Sequence, residues 1–249
     1  DKVRFRKNDA EKIGGWSRTT LEQANNPSVT TFTGVPRATQ SWNDLAFNKF
    51  IAVATHKKVE LVSGEVIHDI TPIRDSQVLN NAITTPSGES EVLIKDSAPH
   101  LLVVGDFVFV NSQENTVDGI ELSGEYTVTE IVNSNDFKVD SGTTATGSTS
   151  DAGGDLDIDY LLDIGPVSNG GITGWGGGTW NTPGANNGGW NEPRESTGSL
   201  GVNLRNWSLD NWGEDLIAGL RERKIYHWDA DDGVGGRLEE IVNAPNRNL

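Results

Sequence analysis

Short apolar runs, each closed off by Gly, Asn, Asp, Ser or Pro, recur along the 249-residue chain, and helical periodicity is nearly absent. Strand side chains repeat every two residues and helix side chains every 3.6, so this pattern points to many short strands. The expected class is all-β. Hydrophobic residues make up 35% of the chain, which is lean for one tight globule but ordinary where sheets leave a face wet.

The runs group into units. Phe50-Ile51-Ala52-Val53-Ala54 and Val59-Glu60-Leu61-Val62 flank Thr55-His56-Lys57-Lys58, a polar connection of hairpin length. Ser63-Gly64 turns the chain into Val66-Ile67-His68-Asp69-Ile70, which Pro72 ends. Three strands in succession make a meander. The same grammar returns late in the chain: Leu216-Ile217-Ala218 matches Phe50-Ile51-Ala52, and Ile225 follows Leu216 by the spacing that separates Val59 from Phe50. A Trp and an Asp precede each unit, Trp42 with Asp44 and Trp207 with Asp210. Two such copies fit successive blades of a β-propeller, with two unrelated hairpins as the alternative.

A segment of different character separates the copies. Leu101-Leu102-Val103-Val104, Phe107-Val108-Phe109-Val110, the run from Glu125 to Val132, and Phe137-Lys138-Val139 read as strands of a small barrel or sandwich. Residues 143–154, rich in Gly, Ser and Thr, read as a linker leading back. The expected organisation is a propeller-like domain over 1–74, an inserted β domain over 75–159, and over 160–249 a Gly/Trp-rich loop followed by the rest of the propeller-like domain. Within 170–201, Trp175, Trp180 and Trp190 stand among glycines with hardly an aliphatic between them. Such a loop is expected to be pinned by its indoles against a neighbour. Trp207 and Trp212 are expected to be buried anchors of the second hairpin.

Charge narrows the function. With 20 Lys+Arg against 36 Asp+Glu the formal net charge is -16. That surface repels polyphosphate, which argues against gripping DNA through a basic patch. Without Cys there is no disulfide or thiolate metal site. The four histidines, His56, His68, His100 and His227, fall in separate contexts, with His56 and His227 expected exposed on hairpins. No metal-binding, phosphate-loop or nucleophile-elbow pattern occurs. Asp151, Asp155, Asp157 and Asp159, like Asp229, Asp231 and Asp232, read as solvated turns. No cofactor and no catalytic residue are expected. No apolar run is long enough for a membrane anchor, and the start, Asp1 to Arg6, has no signal-peptide core. The lack of Met and the strand-like opening read as an interior piece of a longer product.

Several stretches resemble a known family. Lys2-Val3-Arg4-Phe5-Arg6-Lys7, Glu11-Lys12-Ile13-Gly14-Gly15-Trp16, Gly34-Val35-Pro36-Arg37-Ala38, Thr55-His56-Lys57-Lys58 and Asp69-Ile70-Thr71-Pro72-Ile73-Arg74 are similar to the N-terminal half of short-tailed bacteriophage virion proteins. That group comprises the tail nozzle, or tail tubular protein B, and the DNA-stabilising tail hub proteins. The resemblance returns at Gly174 to Trp180 and, most specifically, from Trp207 to Ala218. It implies a structural subunit of a hexameric tail ring around the DNA exit channel. The implied partners are other copies, the portal and adaptor proteins, tail fibres and DNA that passes without sequence-specific binding. No catalytic residue is implied. The alternative is a carbohydrate-binding module of a virion or cell surface, with Trp faces stacking on sugars; a hydrolase ranks third.

Overall fold

The computed structural model describes residues 3–6, 9–12, 21–25, 28–29, 31–162, 206–221 and 223–244. The Gly/Trp-rich stretch, with Trp175, Trp180 and Trp190, and residues 13–20 lie outside the described residues. Strands β1 (Val3–Arg6) and β2 (Asp9–Lys12) pair antiparallel as a two-stranded sheet. The rest is all-β as well, apart from one short 3-10 turn at Ala230–Asp232.

The first meander comprises β4 (Pro36–Asn43), β5 (Lys49–Thr55), β6 (Val59–Ser63) and β7 (Val66–Asp69), and β3 (Glu22–Gln23) adds to β7 in parallel. Alternation explains its buried face: Phe50, Ala52 and Ala54 on β5 and Val59 and Leu61 on β6 point one way. Gly64 and Glu65, both with positive φ, make the two-residue turn that matches the twist of β6 and β7.

From Ile73 the chain enters a separate eight-stranded antiparallel sheet. Its strands are β8 (Ile73–Asn80), β9 (Ile83–Thr85), β10 (Glu91–Lys95), β11 (Phe107–Gln113), β12 (Gly124–Ile131), β13 (Asp136–Asp140), β14 (Thr149–Ala152) and β15 (Asp155–Leu161). They lie in the order β14-β9-β10-β13-β12-β11-β15-β8. β8 and β9 sit towards opposite ends of this order, yet they are consecutive in the chain and share one core of Leu79, Ile83, Ile94, Val108, Phe137, Ile158 and Tyr160. The sheet therefore rolls into a nearly closed barrel.

The second meander is β16 (Trp207–Trp212), β17 (Asp215–Leu220), β18 (Ile225–Trp228) and β19 (Glu239–Glu240). Its Trp207, Leu216, Ala218, Leu220, Tyr226 and Trp228 share a core with Trp42, Phe50, Ala52 and Leu61 of the first. Trp42, Phe50 and Trp228 form the centre, with ring centroids 5.5 to 6.1 Å apart and edge-on or tilted planes. The Leu238 N–H also donates to the Ile70 carbonyl at 3.0 Å. The two four-stranded meanders are joined through their apolar faces; the described residues do not complete a ring of blades.

Four local expectations are corrected. Residues 143–154 are no linker: Ala145 is buried and β14 pairs with β9. The run Leu101 to Val104 is a loop rather than a strand, because Leu101 takes a positive φ of 56° and the Val103 N–H is caught by the Asp106 carboxylate at 2.9 Å. Only Leu102 of that run is buried. Trp212 is 77% exposed, whereas Trp207 is buried. Five positions on a strand is an odd number, so the two indoles leave opposite faces of β16. Finally, Trp42 and Trp207 are not equivalent. Trp42 pairs with Phe50 beside the hairpin turn, and Trp207 pairs with Leu220 at the far end.

Candidate functional site

Among the described residues, ionisable side chains converge where the barrel meets the paired meanders. Lys58 follows a turn in which the Thr55 hydroxyl accepts the N–H groups of Lys57 and Lys58, aiming Nζ at the barrel. There Nζ meets both oxygens of Glu125, at 2.6 and 2.5 Å, and Asp69 Oδ2 at 3.3 Å. Arg237, from the second meander, reaches the same Asp69 oxygen at 3.3 Å and donates to the Thr71 carbonyl at 2.9 Å. The other Asp69 oxygen accepts the Thr71 hydroxyl and N–H at 2.5 and 3.0 Å. Phe107 and Phe109 of the barrel lie under Lys58 and Arg237, 4.7 and 5.6 Å from the charges.

Two cations and two anions thus alternate from Glu125 through Lys58 and Asp69 to Arg237, with the Lys58 and Asp69 side chains under 10% exposed. Burial raises the Glu125 carboxyl above its ordinary value against the pull of Lys58. Burial also opposes ionisation of Asp69, but Lys58, Arg237 and the Thr71 hydrogen bonds outweigh it and hold that carboxyl below the ordinary value. Lys58 and Arg237 bridge the carboxyl groups, and Asp69, which also lies against Glu125, adds to the rise in that carboxyl's pKa; the arrangement does the work of a joint that fixes the barrel against both meanders.

The histidines stay apart. His56 is buried, contrary to its expected exposure, because its Nδ1 accepts the Val35 N–H at 2.9 Å; burial, with Arg37 and Lys57 nearby, lowers its pKa. His100 accepts the Leu102 N–H on Nδ1, which leaves Nε2 to donate to the Asn133 carbonyl at 3.2 Å as the neutral tautomer. His227 pairs with Asp215 at 3.1 Å; the Ala230 N–H and then His227 hold the Asp215 carboxyl low, against burial. No group of three or more metal-ligating side chains occurs among the described residues. The aspartates of β15 are strand residues, not a solvated turn: Asp159 is buried and accepts from Ser76 at 2.5 Å and Asn111 at 2.8 Å. Inside the barrel Tyr160 donates to Asp96 at 2.7 Å, and burial together with that carboxylate raises the phenol pKa.

A second feature lies at the hairpin turns where β4 and β16 run side by side. Leu45 and Phe47 on the β4–β5 turn are 88% and 83% exposed, and Trp212 ends β16 at the next turn. The turns are strapped together. Glu214 accepts the Trp42 indole N–H on its carbonyl at 2.6 Å and the Leu45 N–H on its carboxylate at 3.0 Å. Gln40 donates to Asn211 at 3.1 Å. Within the first turn both oxygens of Asp44 hold Asn48, at 2.7 and 2.6 Å. Phe47 has a φ of 66°, the left-handed region that an aromatic residue enters at a cost of about 1–3 kcal/mol.

Of the sequence-derived candidates, Trp207 lies in the shared core and Trp212 at the strapped turns. Sequence reasoning did not find the joint, since Lys58 and Glu125 are 67 positions apart. The one local sign was Asp69-Ile70-Thr71, an Asp placed to accept from the backbone two residues on. No protein-family model and no curated protein matches the chain. Among solved structures it aligns with the Phage phi92 endosialidase at 16% identity, over 83% of this chain and 28% of that one, with a TM-score of 0.33. The chain spans under a third of that protein, and a likeness of this size carries no conclusion about chemistry.

Proposed function

We propose that the chain is a structural, non-catalytic subunit of a phage tail, assembling with other copies into a ring, hexameric in the form the sequence resemblance implies, around passing DNA. The observation that carries this reading is the pair of meanders sharing one apolar core, an arrangement compatible with successive blades. The net charge of -16 supports it: multiplied around a ring, it makes a wall to which phosphate does not adhere. Portal and adaptor proteins above the ring and fibres beside it are the partners in this reading. The test is a reconstruction of the particle that carries the chain. Copies about a rotational axis with DNA along it are expected; isolated copies on the capsid exterior, away from the DNA path, would overturn the proposal.

One observation favours a second reading as a carbohydrate-binding module. The exposed Trp212 offers an indole face of the kind that stacks on a sugar ring. Under that reading a monomer binds glycans in titration calorimetry and loses them in Trp212→Ala.

A further inference from the structure

Turn residues are usually small or polar, because turns are wet and often need positive φ. The strapped turns depart from this on both counts. Five large apolar residues among those described are more than three-quarters exposed, and three of them, Leu45, Phe47 and Trp212, stand on these two adjacent turns. Phe47 holds a left-handed backbone where Asn or Gly is the ordinary choice. The straps from Glu214, Asp44 and Gln40 tie the two turns to each other and fix the backbone that carries the apolar groups. Trp, Phe and Leu exposed on two turns that are tied together have the composition of a binding hot spot on a backbone held before the partner arrives.

We propose that the β4–β5 and β16–β17 turns together dock another protein, whose surface offers an apolar pocket bordered by lysine or arginine. Charge selects this occupant. Residues 43–49 and 210–215 carry Asp44, Asp210, Glu214 and Asp215 against Lys49, four acids and one base, for a net of -3. Two copies meeting tip to tip would bring like charges together, and anionic lipid would be repelled, whereas a basic rim is attracted and steered. The surface stands on its own geometry and does not depend on where in a virion the chain sits.

The test uses the whole chain and a random peptide library displayed on its encoding RNA, selected on the immobilised protein. Phe47→Asp and Trp212→Asp serve as comparison variants, with circular dichroism and melting confirming that each is folded. The expected result is peptides that combine aliphatic or aromatic residues with Arg or Lys. Their affinity should fall at least tenfold on either variant and weaken in high salt. Peptides that bind the variants equally, or that lack basic residues, overturn the proposal. So does self-association in sedimentation that Phe47→Asp abolishes, which assigns the surface to a second copy. Phe47-dependent flotation with phosphatidylcholine–phosphatidylglycerol vesicles overturns it in favour of a membrane. Glycan binding that needs Trp212 but not Phe47 overturns it in favour of a sugar, and the particle reconstruction is informative whichever result is obtained.

Discussion

Trp207 and Trp212 leave one strand on opposite sides, and the difference decides what each contributes. Trp207→Ala empties a site in the shared core and is expected to cost about 3–5 kcal/mol in denaturant unfolding. Trp212→Ala, at 77% exposure, should stay within about 0.5 kcal/mol. The buried indole N–H groups of Trp207 and Trp228 have no acceptor among the described residues, so Trp207→Phe, which also removes an orphaned donor, should cost less than half of Trp207→Ala. The joint sets the acid response. The Asp69 carboxyl is held below its ordinary value, so its contribution is complete above the unfolded pKa and drains away as pH falls through the folded one. Glu125 runs the other way: its folded pKa is the higher, so acidification through that window favours the folded state. In melting curves over acidic pH, Glu125→Gln should lose the upper rise and keep the acid fall-off, while Asp69→Asn should lose much of the fall-off. Residue type alone foretold none of this. Strand parity separates the two indoles, and the register between distant strands brings Glu125 to Lys58.

At the level of strands and turns, local chemistry was legible wherever it acted alone. The β5–β6–β7 meander and the β17–β18 pair follow from alternation and turn residues, because neighbouring strands need only a short loop to meet. Reading failed where tertiary context set the outcome. Leu101 to Val104 looks like a strand by composition, but a left-handed Leu101 and the Asp106 cap make it a loop, leaving Leu101, Val103 and Val104 exposed. Residues 149–152, Thr-Ser-Asp-Ala, look like linker and form β14 because the edge of β9 needs a partner. The barrel enters and leaves at one point, where the Leu162 N–H donates to the Pro72 carbonyl at 2.9 Å. Its core is distinct from that of the meanders. Replacing Ile73 to Leu161 with a short Gly-Ser bridge should therefore leave the meanders folded, and the excised segment should give a β circular dichroism spectrum with a cooperative melt. Loss of structure in both products would show that the joint is required for folding rather than only for orientation.

Across the whole molecule, the joint is what couples the two bodies beyond their covalent connections. Lys58→Met leaves Glu125 and Asp69 without their shared cation. It should cost about 3–5 kcal/mol, as removal of one partner from a buried pair does, and enlarge the radius of gyration in X-ray scattering as the barrel swings free. The interleaved order of the chain has a further result that appears only in time. The first meander is complete at Asp69, but the sheet that covers its Trp42, Phe50 and Leu61 begins at Trp207. At a synthesis rate of about 5–20 residues per second, roughly 7–30 s pass between them. The barrel has all its strands by Leu161 and can close during that wait. A chain ending after residue 162 should accordingly show a protease-resistant barrel beside a cleavable 36–70 segment. On the ribosome the inserted body is the elder of the two, and the apolar face made first is the last to be sheltered, a bare interval in which a chaperone has its opportunity.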